Sequence, residues 1–123
     1  MNVNYKISQT IKMLGISPAV KGYYAIREAL KLVIKDKTYI FAITNRLYPQ
    51  VAKILNSTAT RTERVIRHAI ETGWRRGNVE LQCEMFDYGV LEAPNPTNSE
   101  FIATVADYIS IKMEEENEDT KDN

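Results

Sequence analysis

Residues 60–77 read TRTERVIRHAIETGWRRG and hold five of the seven arginines in the chain. A helix turns about 100° per residue, which puts Arg61, Arg64, Arg67, His68, Glu71 and Arg75 on one face. Thr62, Val65, Ile66, Ala69 and Gly73 fall on the opposite face, with Ile70 and Trp74 at its margin. Such a helix docks its apolar side into a core and offers an arginine ridge to the outside. Guanidinium groups make paired hydrogen bonds to phosphate oxygens, or to guanine O6 and N7 in a major groove. The residue types therefore point to a DNA-reading helix.

The preceding residues supply a positioning helix. Pro49 suits a first helical turn, where a missing N–H costs nothing. Val51, Ala52, Ile54 and Leu55 give that helix an apolar side, and Asn56 reads as a left-handed terminator. After a short connection through Ser57, Thr58 and Ala59, the pair Thr60 and Glu63 matches a capping box. A short helix, a tight turn and a second helix with a basic ridge describe a helix-turn-helix over residues 48–76.

Working outward, the chain reads as all-α with no convincing strand. Val3, Ile7, Ile11 and Leu14 follow helical spacing up to Gly15. Ser17 and Pro18 open the next segment, where Tyr23, Ile26, Leu30, Val33 and Ile34 stripe a second helix. After the break at Asp36, Lys37 and Thr38, residues 39–47 read as a third helix, although residues 39–43 also suit a short buried strand. Gly77 and Asn78 are a stop signal. Residues 79–86 form a weak short helix, and residues 87–96 are the least regular. Thr97 and Glu100 make a second capping box before a closing helix striped by Phe101, Ile102, Val105, Ile109 and Met113.

Composition bounds the function. The 123 residues, 44% of them hydrophobic, suit one domain with a real core. A single cysteine, Cys83, cannot form an intrachain disulfide and fits a reducing compartment. No secretory leader and no membrane-length apolar run is visible, so the expectation is a soluble, cytoplasmic protein without a membrane partner. The zero formal charge conceals an asymmetry. Residues 1–106 hold 14 Lys and Arg against 9 Asp and Glu, whereas residues 107–123 hold 7 acidic and 2 basic residues. The division expected is a helical effector domain over residues 1–113 and an acidic disordered tail over 114–123, either solvated or competing with DNA for the basic face.

Enzyme readings fail. His68 is the only histidine, and its helical neighbour Glu71 has no Ser, Cys or Lys nucleophile placed beside it. His68 reads as a phosphate or base contact, or as a solvated side chain. Cys83 lies among Leu81, Met85 and Phe86 as a small buried filler. One Cys and one His cannot build a structural zinc site, and no glycine-rich loop cradles a phosphate. No catalytic residue, metal or cofactor is expected. The tyrosines are dispersed, with Tyr23, Tyr39 and Tyr48 at core or helix-start positions, and Trp74 anchors the arginine helix.

Several blocks carry a resemblance. Lys21-Gly22-Tyr23, Arg27-Glu28-Ala29, Leu47-Tyr48-Pro49, Arg61 with Glu63-Arg64, residues 66–71 (IRHAIE), Trp74, Arg76-Gly77-Asn78 and residues 96–103 (PTNSEFIA) follow one family in order and spacing. The chain resembles the C-terminal effector domain of the master sporulation response regulator of endospore-forming Firmicutes, over about residues 14–107. The resemblance implies about six helices around a helix-turn-helix unrelated to winged helices, and recognition of tandem boxes with a TGTCGAA-like core. It implies base reading from Arg61, Glu63, Arg64 and Arg67, and transcriptional control through RNA polymerase sigma subunits. The polymerase-contacting segment corresponds to residues 77–90, which hold Gly77, Glu80, Glu84, Phe86 and Val90, together with Ala106 in the closing helix.

The full set of DNA-binding candidates is Thr60, Arg61, Glu63, Arg64, Arg67, His68 and Arg75. In this family the domain follows a receiver domain, so the expectation is either a standalone paralogue or a piece of a longer protein. Tandem or homodimeric binding on DNA is expected. The alternative function is an interaction module that antagonises a full-length sporulation regulator by pairing with it.

Overall fold

The computed structural model describes residues 2–86 and 95–122, with side chains of the last helix through residue 118. Helix α1 (Val3–Met13) starts at Asn2, whose Oδ1 accepts from the Asn4 amide at 2.7 Å. Its end is built by Gly15 at φ +94°. The Gly15 amide donates to the Lys12 carbonyl at 3.0 Å and the Ile16 amide to the Ile11 carbonyl at 3.2 Å. This pairing satisfies two carbonyls that a helix end leaves open, and it needs a left-handed residue at the turn. Gly15 has a second duty. A Cβ there would overlap the carbonyl oxygen of Gly73, so the chain after α1 meets the end of the arginine helix backbone to backbone.

Helix α2 (Tyr23–Lys35) is the centre of the fold. Tyr23, Ala25, Ile26, Ala29, Leu30 and Val33 are buried, and the helix packs against α1 and, of the elements that follow, against the 3-10 segment after it and the third, fourth and sixth α-helices. Asp36 then breaks it, its Oδ1 accepting from the amide of Thr38 at 3.0 Å and from its hydroxyl at 2.6 Å. The following segment is neither the regular α-helix nor the strand that its sequence allows. It is a 3-10 helix (Lys37–Ala42) running into a π-helix (Ile43–Leu47). Arg46 ties the two together: it donates to Thr38 Oγ1 at 3.0 Å, lies 3.6 Å from the Asp36 carboxylate and stacks 4.4 Å over the Tyr39 ring. A buried strand would need both faces covered, yet Phe41 is 88% exposed.

Helix α3 (Tyr48–Ile54) has Pro49 in its first turn and ends at Asn56, at φ +54°. The Asn56 amide donates to the Lys53 carbonyl at 3.4 Å and Ser57 to Ala52 at 2.8 Å, the same end motif as in α1. Helix α4 (Ala59–Gly73) follows and closes in a 3-10 turn (Trp74–Arg76). Asn78 Oδ1 accepts from the Leu81 amide at 3.0 Å and caps helix α5 (Val79–Phe86). The Thr97 and Glu100 box forms as expected: the Glu100 amide donates to Thr97 Oγ1 at 3.2 Å, and the Thr97 amide to Glu100 Oε1 at 3.3 Å. It opens helix α6 (Asn98–Asp122).

Among the described residues there are six α-helices and no strand. Ile7, Ile11, Ile26, Leu30, Leu47, Val51, Ile66, Ile70, Phe101, Ile102 and Ile109 form one continuous core drawn from α1, α2, the π-helix, α3, α4 and α6. Each fully buried aliphatic side chain of this kind contributes about 1.5–3 kcal/mol. No described helix is long and apolar enough to cross a membrane.

Helix α6 runs on through the acidic residues to Asp122. Glutamate is a good helix former, and ion pairs line the run, with Lys112 3.8 Å from Glu115 and Lys6 of α1 3.7 Å from Glu116. Cys83 is half-buried rather than a core filler. The neighbouring Gln82 takes the interior place, its Nε2 donating to the Trp74 carbonyl at 2.6 Å.

Candidate DNA-facing surface

α4 divides as its periodicity requires. Thr62, Ile66, Ala69, Ile70 and Gly73 are buried, and Val65 is half-buried. Thr60, Arg61, Arg64, Arg67, His68 and Glu71 are exposed. Trp74 is buried and packs edge-on against Phe86 at 5.2 Å, which in turn stacks on Phe101 at 6.4 Å. Arg75 is exposed, on the 3-10 turn beyond the helix rather than on its last turn.

The helix start differs from the sequence reading. Thr58 is the N-cap, its Oγ1 accepting from the Arg61 amide at 3.1 Å. The Thr60–Glu63 capping box does not form, because Thr60 is already the second residue inside the helix. Thr58 has the extended backbone that a cap needs, with φ −119° and ψ 156°. Glu63 is thereby released from the cap and pairs with Arg67. Arg67 Nη1 donates to Glu63 Oε1 at 2.7 Å, and Arg67 Nε lies 3.9 Å from Glu71. Among the described residues, Arg61, Arg64 and Arg75 have no carboxylate partner. The ridge thus holds two kinds of arginine: unpaired ones at its start and end, and one flanked by carboxylates at its middle.

Two contacts fix where this ridge stands. Gly22, at the start of α2, lies so close to α4 that a Cβ would overlap the Val65 carbonyl oxygen and come within 2.7 Å of Ala69 Cβ. Asn98, the first residue of α6, donates through Nδ2 to the Tyr48 hydroxyl at 3.0 Å and to the Glu63 carbonyl at 3.1 Å. One carboxamide therefore joins α3, α4 and α6. Burial holds the Tyr48 hydroxyl above its ordinary pKa of 10.0, partly offset by the Asn98 hydrogen bond.

The sequence reading missed Asn98, Thr58 and the lysine beside Gly22. A groove of about 380 Å³ runs along α4, lined by Lys21, Arg61, Arg64, Val65, Arg67 and His68. The signal for Lys21 was its glycine neighbour, because close helix approach at a glycine places the adjacent side chain against the partner helix.

The remaining candidates scatter. Glu80 and Glu84 are exposed on α5. Phe86 is half-buried between the rings of Trp74 and Phe101, and Ala106 is only 3% exposed. Gly77 is half-buried, and a Cβ there would fall 2.7 Å from the Leu14 carbonyl oxygen. Val90 lies outside the described residues. No group of three or more potential metal ligands occurs among the described residues.

An all-helical body whose one arginine-rich helix turns its apolar side into the core and its cations outward is built like a DNA-binding effector domain. Residues 7–109 match the family described as sporulation initiation factor Spo0A C terminal, and the chain belongs to that family. Its role is accordingly that of a DNA-binding transcriptional effector, and it is not an enzyme.

Proposed function

We propose that this chain is a cytoplasmic, sequence-specific regulator that reads double-stranded DNA with α4 in the major groove. α3, the turn through residues 55–58 and α4 would act as its helix-turn-helix. The observation that carries this reading is the state of the ridge: Arg61 and Arg64 stand exposed, without carboxylate partners, on a helix whose opposite side is locked into the core. Both have the planar fork that matches guanine O6 and N7. Arg67 reads a base while Glu63 orients it, and Glu63 itself can accept from a cytosine amino group. Thr60, His68 and Arg75 flank these residues as phosphate contacts. The preferred site is a TGTCGAA-like box, bound in tandem. Glu80 and Glu84 are the exposed residues through which an RNA polymerase sigma subunit would be met.

The test is alanine substitution at Arg64 with duplexes carrying the box or single changes within it. Loss of a paired guanine contact costs about 1–3 kcal/mol and relaxes preference at one base pair. Equal loss on boxed and scrambled duplexes would make Arg64 a backbone contact and remove the base-reading role.

A further inference from the structure

The groove beside α4 is not made by α4 alone. Lys21 comes from the turn before α2, a segment 40 residues upstream of Arg61, and it is exposed. It lines the groove shared with Arg61, Arg64 and His68, and also a second, larger groove of about 660 Å³ that reaches the turn residues Asn56, Ser57 and Thr58. Neither groove is lined by a carboxylate. Glu63 and Glu71 instead line a separate cleft with the start of α6. Lys21 is held at this place by covalent necessity, since Gly22 is pressed against the Val65 carbonyl.

We infer that Lys21 is a backbone clamp: a second chain segment that contacts a DNA phosphate flanking the bases under α4. The inference rests on the DNA-reading role of α4 proposed above. A lysine suits the task because its ammonium is a compact charge on a flexible stem, able to meet a phosphate oxygen without the planar geometry that base reading needs. Its position between the α3–α4 turn and the arginine ridge lets it fix the register of the helix on the duplex. It carries no sequence information.

The test compares the full chain with Lys21→Gln, Lys21→Arg and the control Lys35→Gln in fluorescence anisotropy on boxed and scrambled duplexes, across 50–200 mM salt. Lys35 ends α2, the full length of that helix, about 18 Å at 1.5 Å of rise per residue, beyond the turn that holds Lys21. For Lys21→Gln the expected result is equal weakening on both duplexes and a slope of log K against log salt reduced by about 0.9. Over a fourfold salt range that slope makes the penalty about 3.5-fold smaller at 200 mM than at 50 mM. Lys21→Arg restores most of the affinity, and Lys35→Gln changes neither quantity. An unchanged slope with Lys21→Gln overturns the clamp, and a changed ratio between boxed and scrambled duplexes overturns its sequence-independent character. Failure of the unaltered chain to bind either duplex overturns the DNA-reading role itself, and Lys21 falls with it.

Discussion

Replacing Asn98 by alanine removes one carboxamide and two hydrogen bonds, to the Tyr48 hydroxyl at 3.0 Å and the Glu63 carbonyl at 3.1 Å. Each neutral hydrogen bond contributes about 0.5–1.5 kcal/mol net, and a buried group left without a partner adds to the loss. The Glu63 carbonyl keeps its acceptor place within α4, while Tyr48, 6% exposed, has little access to water. The expected cost is about 1–3 kcal/mol. The α6 start contributes nothing to it, because Thr97 and Glu100 cap that helix without Asn98. Chemical denaturation of the unaltered chain, Asn98→Ala, Tyr48→Phe and the double variant gives a coupling energy. A hydrogen bond between the two side chains predicts coupling of at least about 0.5 kcal/mol, whereas independent sites add to within 0.3–0.5 kcal/mol. DNA affinity provides the second reading. If Asn98 holds α4 in register with α3, Asn98→Ala weakens binding to the boxed duplex more than to the scrambled one, under conditions where the variant is fully folded. Additive stabilities together with an unchanged specificity ratio would refute the reasoning.

Three further outcomes follow from particular contacts. Glu63→Gln removes the 2.7 Å ion pair with Arg67; it should shift stability by no more than about 0.5 kcal/mol, as for an exposed i,i+4 pair, while altering base preference. A large loss of melting temperature with intact preference would return Glu63 to a structural role. Gly15→Ala forces a side chain into φ +94° and into the Gly73 carbonyl, so denaturation should show a loss of about 2 kcal/mol or more, and a near-neutral result would contradict the close approach of the turn after α1 to the end of α4. Truncation after Met113 should leave the salt slope of DNA binding unchanged, because the acidic run continues α6 with Glu116 beside Lys6 of α1. A steeper slope in the truncated chain would instead show the acidic residues competing for the basic face.

Much of this arrangement is legible in the sequence because it depends on local periodicity. The faces of α4, the left-handed Asn56, the Gly15 terminator and the Thr97–Glu100 box are each written within a few residues. What sequence reading missed depends on competition or on distance. Thr58 and Thr60 are both competent caps, and the chain resolves them by starting the helix two residues earlier, which changes the partner of Glu63 from a backbone amide to Arg67. Residues 39–47 carry a helical composition, but with the Asp36–Thr38–Arg46 cluster bridging the segment they take a tighter 3-10 and then a wider π geometry. Asn98 was invisible as a site residue because its partners Tyr48 and Glu63 lie 35 or more residues away, and Lys21 was marked only by its neighbour Gly22.

The central claim is that the ridge on α4 reads sequence rather than merely attracting polyanions. Equilibrium binding of the unaltered chain to a duplex carrying a TGTCGAA box, against the same duplex with the box scrambled, tests it most directly at about 150 mM salt. One lost base contact of about 1.4 kcal/mol corresponds to a tenfold change in affinity, so base reading by Arg61, Arg64 and Arg67 predicts a preference of well over tenfold for the box. Equal affinity for the two duplexes, falling in parallel with added salt, would contradict it.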